Sequence, residues 1–254
     1  MTVVAVTVDP PREGLVLPAL AEESPLSERE AATLYEAMAA DAFRAVVESG
    51  GDLIVNYRSD DQLPDEFVGS DANAEAEIRD LLGDVLTDEE REEVRVEVQV
   101  GSSKHARVGN TVTHLLESEG ANSAAVLEPD APLVGRKHVD SAAMKLRRNP
   151  VVLGPSANGR LYFAGFKRPI DFEGAWDAPE VQSVTERALD AGYDVDFLPG
   201  QIRVRSESGL ASLVASLRAR GAADRIAPAY TAAYVDELGL RVAERDGERV
   251  VVRD

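Results

Sequence analysis

Two short apolar runs, VVL at residues 151–153 and LYFAGF at Leu161–Phe166, most narrow what this chain can become. Each is the length and composition of a buried strand. Gly154-Pro155 breaks the first run, and Asn158-Gly159 turns the chain before the second. Two core strands thus bracket a small loop of Gly, Pro, Ser, Ala and Asn. Such a loop lets a ligand approach the backbone closely. The stretch implies an α/β ligand-binding domain and leaves the ligand open.

The rest of the chain alternates in the same way. Thr2–Val8 is a β-branched run suited to a central strand, ended by Asp9-Pro10-Pro11, and residues 11–24, with Gly14 and Pro18, read as a loop. Ser27-Glu28-Arg29-Glu30 is a capping box before an apolar face at Ala31, Leu34, Tyr35, Met38 and Ala42, and Gly50-Gly51 ends that helix. Leu53-Ile54-Val55 then reads as a strand, so the order strand–helix–strand implies a parallel crossover. A short helix is expected around Ile78, Leu81 and Leu82, and a half-buried strand over residues 94–100. A further helix carries Val108, Val112, Leu115 and Leu116. Ser123–Leu127 reads as a buried strand and residues 139–146 as a helix. Helices are also expected after Pro179 and after Ser206, with short strands at residues 195–198 and 202–204 between them. Beyond residue 220, a helix near residues 230–238 precedes a hairpin turning at Asp246-Gly247.

Composition excludes several classes. The chain has 254 residues and no Cys, so disulfides, thiolate metal sites and Cys nucleophiles are excluded. Its net charge is −19, from 46 acids against 27 bases, which argues against nucleic-acid binding through a basic surface. An Asp- and Glu-rich chain with few Lys looks like a haloarchaeal cytosolic protein, self-repelling at low salt. No signal peptide is visible, and no apolar run approaches the roughly 18 residues of a spanning helix. A cytoplasmic protein without membrane contact is expected. His105, His114 and His138 lie in no zinc-binding spacing. Residues 154–158 miss the nucleophile-elbow pattern, and there is no P-loop and no G-x-G-x-x-G.

Residues 153–165 resemble the LGP-x-x-D-G-G-Y-Y-L-x-G segment of the DUF2064 family. Leu153, Gly154, Pro155, Gly159, Tyr162 and Gly165 stand in its pattern, with Asn158 for its Asp and Arg160 for its second Gly. Gln99-Val100-Gly101 is similar to the family's Q-x-G. Asp130 and Pro132 fit its G-[ST]-D-[CS]-P-x-L, and Trp176 stands in a variant of its W-[ST]-T-P-x-V. The resemblance covers residues 2–219. It implies a GT-A-like three-layer α/β/α domain with a mixed, mostly parallel sheet over residues 1–220. Residues 221–254 would then be an appendage, packing on that domain or forming a homodimer. It also implies a transferase acting on a nucleotide or phosphorylated small molecule, with Asp130 as catalytic acid and a divalent metal held by carboxylates. The loop of Gly154, Pro155, Ser156, Asn158 and Gly159 would meet the ligand, with Trp176 beside it or in the core.

Departures from the pattern shape the expectation. The family's phosphate-facing K-T-R-L is replaced by residues 15–18, LVLP. Its D-x-D-T reads Arg203-Val204-Arg205-Ser206 here. Mg²⁺ or Mn²⁺ is therefore disfavoured, and no metal ligand or other cofactor is assigned. Between Arg136 and Arg168 there are eight bases and one acid, Asp140; that window is +7, leaving −26 for the rest. It reads either as ordinary surface pairing or as an anion site around the loop, and Arg160, with Arg203 and Arg205 from the D-x-D-T position, would then meet phosphate. Two readings stay open: a transferase that uses protein cations in place of metal, and a non-catalytic protein binding an anion or an acidic partner.

Overall fold

The computed structural model describes residues 2–245 and 247–253. Its centre is a seven-stranded sheet in the order β3-β2-β1-β4-β6-β5-β7. The strands are β1 (Thr2–Val8), β2 (Asp52–Tyr57), β3 (Arg95–Val98), β4 (Ser123–Leu127), β5 (Val151–Pro155), β6 (Leu161–Phe166) and β7 (Val195–Phe197). All pairings are parallel except those of β6, which runs antiparallel to both β4 and β5. The mixed, mostly parallel sheet that the family resemblance implies is present.

Alternation along β1 sends its side chains to both faces. Val4, Val6 and Val8 pack under α2 (Glu28–Val47), α3 (Ala74–Val85) and α6 (Arg136–Leu146), around buried Phe43, Ile78 and Leu146. Val3 and Ala5 pack on the other face with Val112 of α5 (Lys104–Thr113) and Val184 of α7 (Glu180–Asp190). The Ser27–Glu30 capping box is formed, and Thr87–Glu90 makes a second one that opens α4 (Asp88–Glu93).

A third cluster joins α1 (Pro18–Glu23), α2, α8 (Glu207–Ala222), α9 (Ala229–Glu237) and the antiparallel pair β8 (Leu240–Arg245) and β9 (Glu248–Arg253). Leu34, Leu213, Val235, Leu240 and Val251 meet there. Residues 229–245 and 247–253 thus pack on the body of the chain, and residue 220 lies inside the last turn of α8. Of the expected hairpin turn, Asp246 lies outside the described residues, while Gly247 has φ of 84°.

Two local expectations are corrected. Residues 202–204 do not form a strand. Gln201 N–H bonds to Pro155 O and Val204 N–H to Asp130 O, so the segment crosses the ends of two strands instead of running beside one. Residues 11–24 are not only a loop, since Pro18–Glu23 is helical and Val16, Leu17 and Leu20 are buried.

Candidate functional site

The strands β1, β2, β3 and β4 end on the same side of the sheet. The residue directly after each is polar: Asp9, Arg58, Gln99 and Glu128. Carboxyl strand ends are where open α/β sheets bind ligands. A cleft of about 290 Å³ lies there, closed by Lys104 and Arg107 of α5, by Glu180 of α7, and by Arg160, Arg203 and Arg205. A wider groove of about 500 Å³ runs between α3, α4 and β3. It lies on the flank of the sheet, and its arginines Arg79 and Arg91 are paired with Glu75 and Asp88.

Arg203 is the centre of the cleft floor, its side chain 2% exposed. Its Nε donates to Asp130 Oδ1 at 2.6 Å, and its Nη2 donates to Asp130 Oδ2 at 2.8 Å and Glu128 Oε2 at 3.0 Å. Its Nη1 donates to the carbonyl of Leu161 at 2.7 Å and stands 3.8 Å from Glu180 Oε2. Burial alone would lower this guanidinium's pKa; Asp130 and Glu128 outweigh burial and raise it. Arg205 adds a second cation on Asp130, from Nη1 to Oδ2 at 3.1 Å.

Around this floor the charges interlock. Lys104 Nζ lies 2.8 Å from Glu128 Oε1 and 3.6 Å from Glu180 Oε1. Burial pushes the Glu128 carboxyl up, but Lys104 and Arg203 prevail and hold it at about 2. Glu180 Oε2 accepts the backbone N–H of Leu161 at 2.8 Å, tying α7 to the start of β6. Arg58 grips Asp9 with two nitrogens, and the N–H of Asp9 donates to the buried Tyr35 hydroxyl at 3.0 Å. Gln99 is locked by donating to the carbonyls of Val8 and Asn56, and its Oε1 accepts from Arg107 Nε at 2.8 Å.

Of the residues singled out in the sequence, Arg160, Arg203 and Arg205 line the cleft, and Asp130 lies beneath them. Gly154, Pro155, Ser156, Asn158, Gly159 and Trp176 do not line it. The glycines are packed closely. A Cβ on Gly154 would lie 2.5 Å from the ring of Tyr162, and Gly159, at φ of 69°, would press on Pro179 at 2.6 Å. The Ser156 N–H and the carbonyl of Arg160 close the hairpin at 2.8 Å. Asn158 is exposed at the tip with φ of 58°. Trp176 is buried, stacked on Phe172 with centroids 6.2 Å apart, so the core placement is the one observed.

The basic window does not gather. Arg160 is at the cleft end of β6, while Lys167 is at the other end, its Nζ on the carbonyl of Arg147. Arg136 pairs with Asp140, and Lys145 with Asp196.

Arg58, Gln99, Lys104, Arg107, Glu128 and Glu180 were missed as site residues. The available signal was position: Arg58, Gln99 and Glu128 directly follow a strand, and Lys104 and Glu180 open helices.

A divalent cation held by carboxylates does not fit these residues. Both oxygens of Asp130 already accept guanidinium N–H groups, and Glu128 is spanned by Lys104 and Arg203. The family's second acid is Asn158, at the hairpin tip. Among the described residues, no group of three His, Asp or Glu side chains is arranged to hold a metal ion.

Comparison with known proteins bears on the fold. Residues 57–176 match a family described as "Uncharacterized protein conserved in bacteria (DUF2064)". No curated protein matches the sequence. The fold is similar to a "putative nucleotide-diphospho-sugar transferase" from Desulfovibrio desulfuricans G20, with TM-score 0.73 and 20% identity over 93% of this chain and 94% of that one. Looser likenesses, each at TM-score 0.49, are a 4-diphosphocytidyl-2C-methyl-D-erythritol synthase from Anaerococcus prevotii and a cytidylyltransferase from Leptospira borgpetersenii. The first is 13% identical over 85% of this chain and 96% of that one, the second 8% over 93% and 94%. Residues 57–176 thus match the DUF2064 family model, and the chain shares its mostly parallel α/β fold with the Desulfovibrio structure.

Proposed function

We propose that the cleft at the ends of β1–β4 binds a phosphate-bearing small molecule, a nucleotide or sugar nucleotide, without a divalent metal. One observation carries this reading: Arg203 is buried between Asp130, Glu128 and Glu180. A fixed guanidinium there neutralises the carboxylates that would otherwise attract a cation. The outer cations, Arg107, Arg160 and Arg205, then face the open cleft. They suit an anion, since guanidinium is always charged and matches phosphate oxygens in pairs.

The fold supports transfer of a nucleotidyl or sugar group as the activity. The engagement of Asp130 in two ion pairs supports the second reading, a non-catalytic protein that binds the same anion. A thermal-shift panel of UMP, CTP, UDP-glucose and GDP-mannose, in EDTA and then with Mg²⁺ or Mn²⁺, tests the proposal. At least one ligand is expected to raise the melting temperature in EDTA, with no further rise on adding metal. Stabilisation that appears only with metal would overturn it. Product analysis of the stabilising ligand with and without sugar acceptors separates transferase from binder.

A further inference from the structure

Arg107 stands out when the charges meeting in the cleft are matched. Arg58 is answered by Asp9. Lys104, Arg203 and Arg205 are answered by Glu128, Asp130 and Glu180. Arg107 and Arg160 remain. Among the described residues, neither has a carboxylate within ion-pair distance.

The two differ in kind. Arg160 is exposed at the end of the β5–β6 hairpin, where an unpaired charge is solvated at little cost. Arg107 is half-buried in the first turns of α5, and burial together with the like charge of Arg58 lowers its pKa. Its one side-chain hydrogen bond, to Gln99, fixes the guanidinium without neutralising it. Gln99 is itself pinned to the carbonyls of β1 and β2. Asp9 and Glu128 attract Arg107 only from beyond ion-pair distance, and a charge held rigidly in a partly desolvated place without a close partner gains most when an anion arrives.

We infer that Arg107 is the principal anion anchor of the cleft and that, with Arg160, it selects a ligand group carrying two negative charges. This rests on the anion-binding reading above and narrows its substrate class. A phosphate monoester meets the requirement at neutral pH, and so does the diphosphate diester of a sugar nucleotide. A nucleoside triphosphate brings about two charges more, and the excess meets Asp9, Glu128 and Glu180 on the same walls.

Titration calorimetry in EDTA with UMP, UDP-glucose and CTP is the test, on the wild type, Arg107→Gln and Arg160→Gln. UMP or UDP-glucose is expected to bind, with CTP no tighter. Arg107→Gln should weaken the bound probe tenfold or more, and Arg160→Gln by a smaller factor. Arg107→Gln should melt no lower than the wild type, because it removes a partly desolvated charge that has no close ion pair; a purely structural arginine would give a lower melting temperature. If UMP is the ligand, its affinity falls as the pH drops through about 6, where its second proton binds, while UDP-glucose binding stays level.

Unchanged binding in Arg107→Gln, alongside weaker binding in Arg160→Gln, overturns the anchor but leaves the cleft reading standing. CTP binding tenfold tighter than both other probes overturns the two-charge limit. A clear loss of melting temperature in Arg107→Gln makes that arginine structural. Absence of binding by all three probes to the wild type in EDTA removes the cleft reading, and this inference with it.

Discussion

Arg203 shows why a charge cannot be assigned a role from sequence alone. Its place in the family's D-x-D-T segment marked it as a site residue, and it is in the site. Its partner Asp130 is 73 positions away, and nothing local says that the two face each other at 2.6 Å. The sequence shows a charge; burial and pairing decide whether it meets a ligand or another residue. The same holds for Gly154, whose place beside Tyr162 depends on the β5–β6 register. Arg203→Met is expected to destabilise the protein by about 3–5 kcal/mol, because it leaves three carboxylates buried together. Urea unfolding at pH 7 measures this. The wild type has a related pH dependence. The Glu128 carboxyl is at about 2 in the fold against 4.5 for the free group. A depressed carboxylate stabilises fully above the unfolded value. Its contribution is therefore lost as the pH falls from about 4.5 toward 2, and melts across that window should show it. In Glu128→Gln that part of the slope should vanish.

Elements were the most legible level. Strands β1, β2, β4, β5 and β6 and the larger helices follow from apolar period, capping boxes and glycine stops. These signals are local, and here local preference agrees with the fold. The failures were places where a distant contact sets the backbone. Residues 201–204 are held by the ends of β4 and β5. Residues 16–20 are helical at Pro18 onward because Val16, Leu17 and Leu20 find apolar partners on α2 and α8. The start of α9, a helix expected from the sequence, also rests on a distant contact. Pro228 provides no side-chain cap; the carboxylate of Asp41 in α2 accepts the N–H groups of Tyr230 at 3.2 Å and Thr231 at 2.7 Å. This buried acid fastens the last segment to the body of the chain. Asp41→Ala is expected to cost about 1–3 kcal/mol by leaving those donors unpaired. Hydrogen exchange should quicken at Tyr230 and Thr231 and along α9, while the central strands stay protected. Uniform quickening across the sheet would contradict this local role.

At the scale of the whole molecule, a chain of net charge −19 surrounds a cleft with more cations than acids. Salt acts on these in opposite directions. Screening of the acidic surface should raise the melting temperature between dilute buffer and molar KCl, and circular-dichroism melts check this. The same screening should weaken phosphate binding, and equal melting temperatures would contradict the repulsion argument. The sheet and its order of crossovers make the cleft, because they bring four strand ends and two helix starts to one edge. Those groups are scattered between residues 9 and 205, so the sequence could name only those that fell in family motifs.

The central claim is that a buried guanidinium has taken the place of a metal. Its most direct measurement is calorimetric titration of the stabilising nucleotide or sugar nucleotide in EDTA and again in Mg²⁺, with wild type and Asp130→Asn. The account predicts the same affinity in both media, and binding that persists in Asp130→Asn. Binding that requires Mg²⁺ and disappears in Asp130→Asn would show that Asp130 holds a metal and that its pairing with Arg203 gives way when ligand arrives.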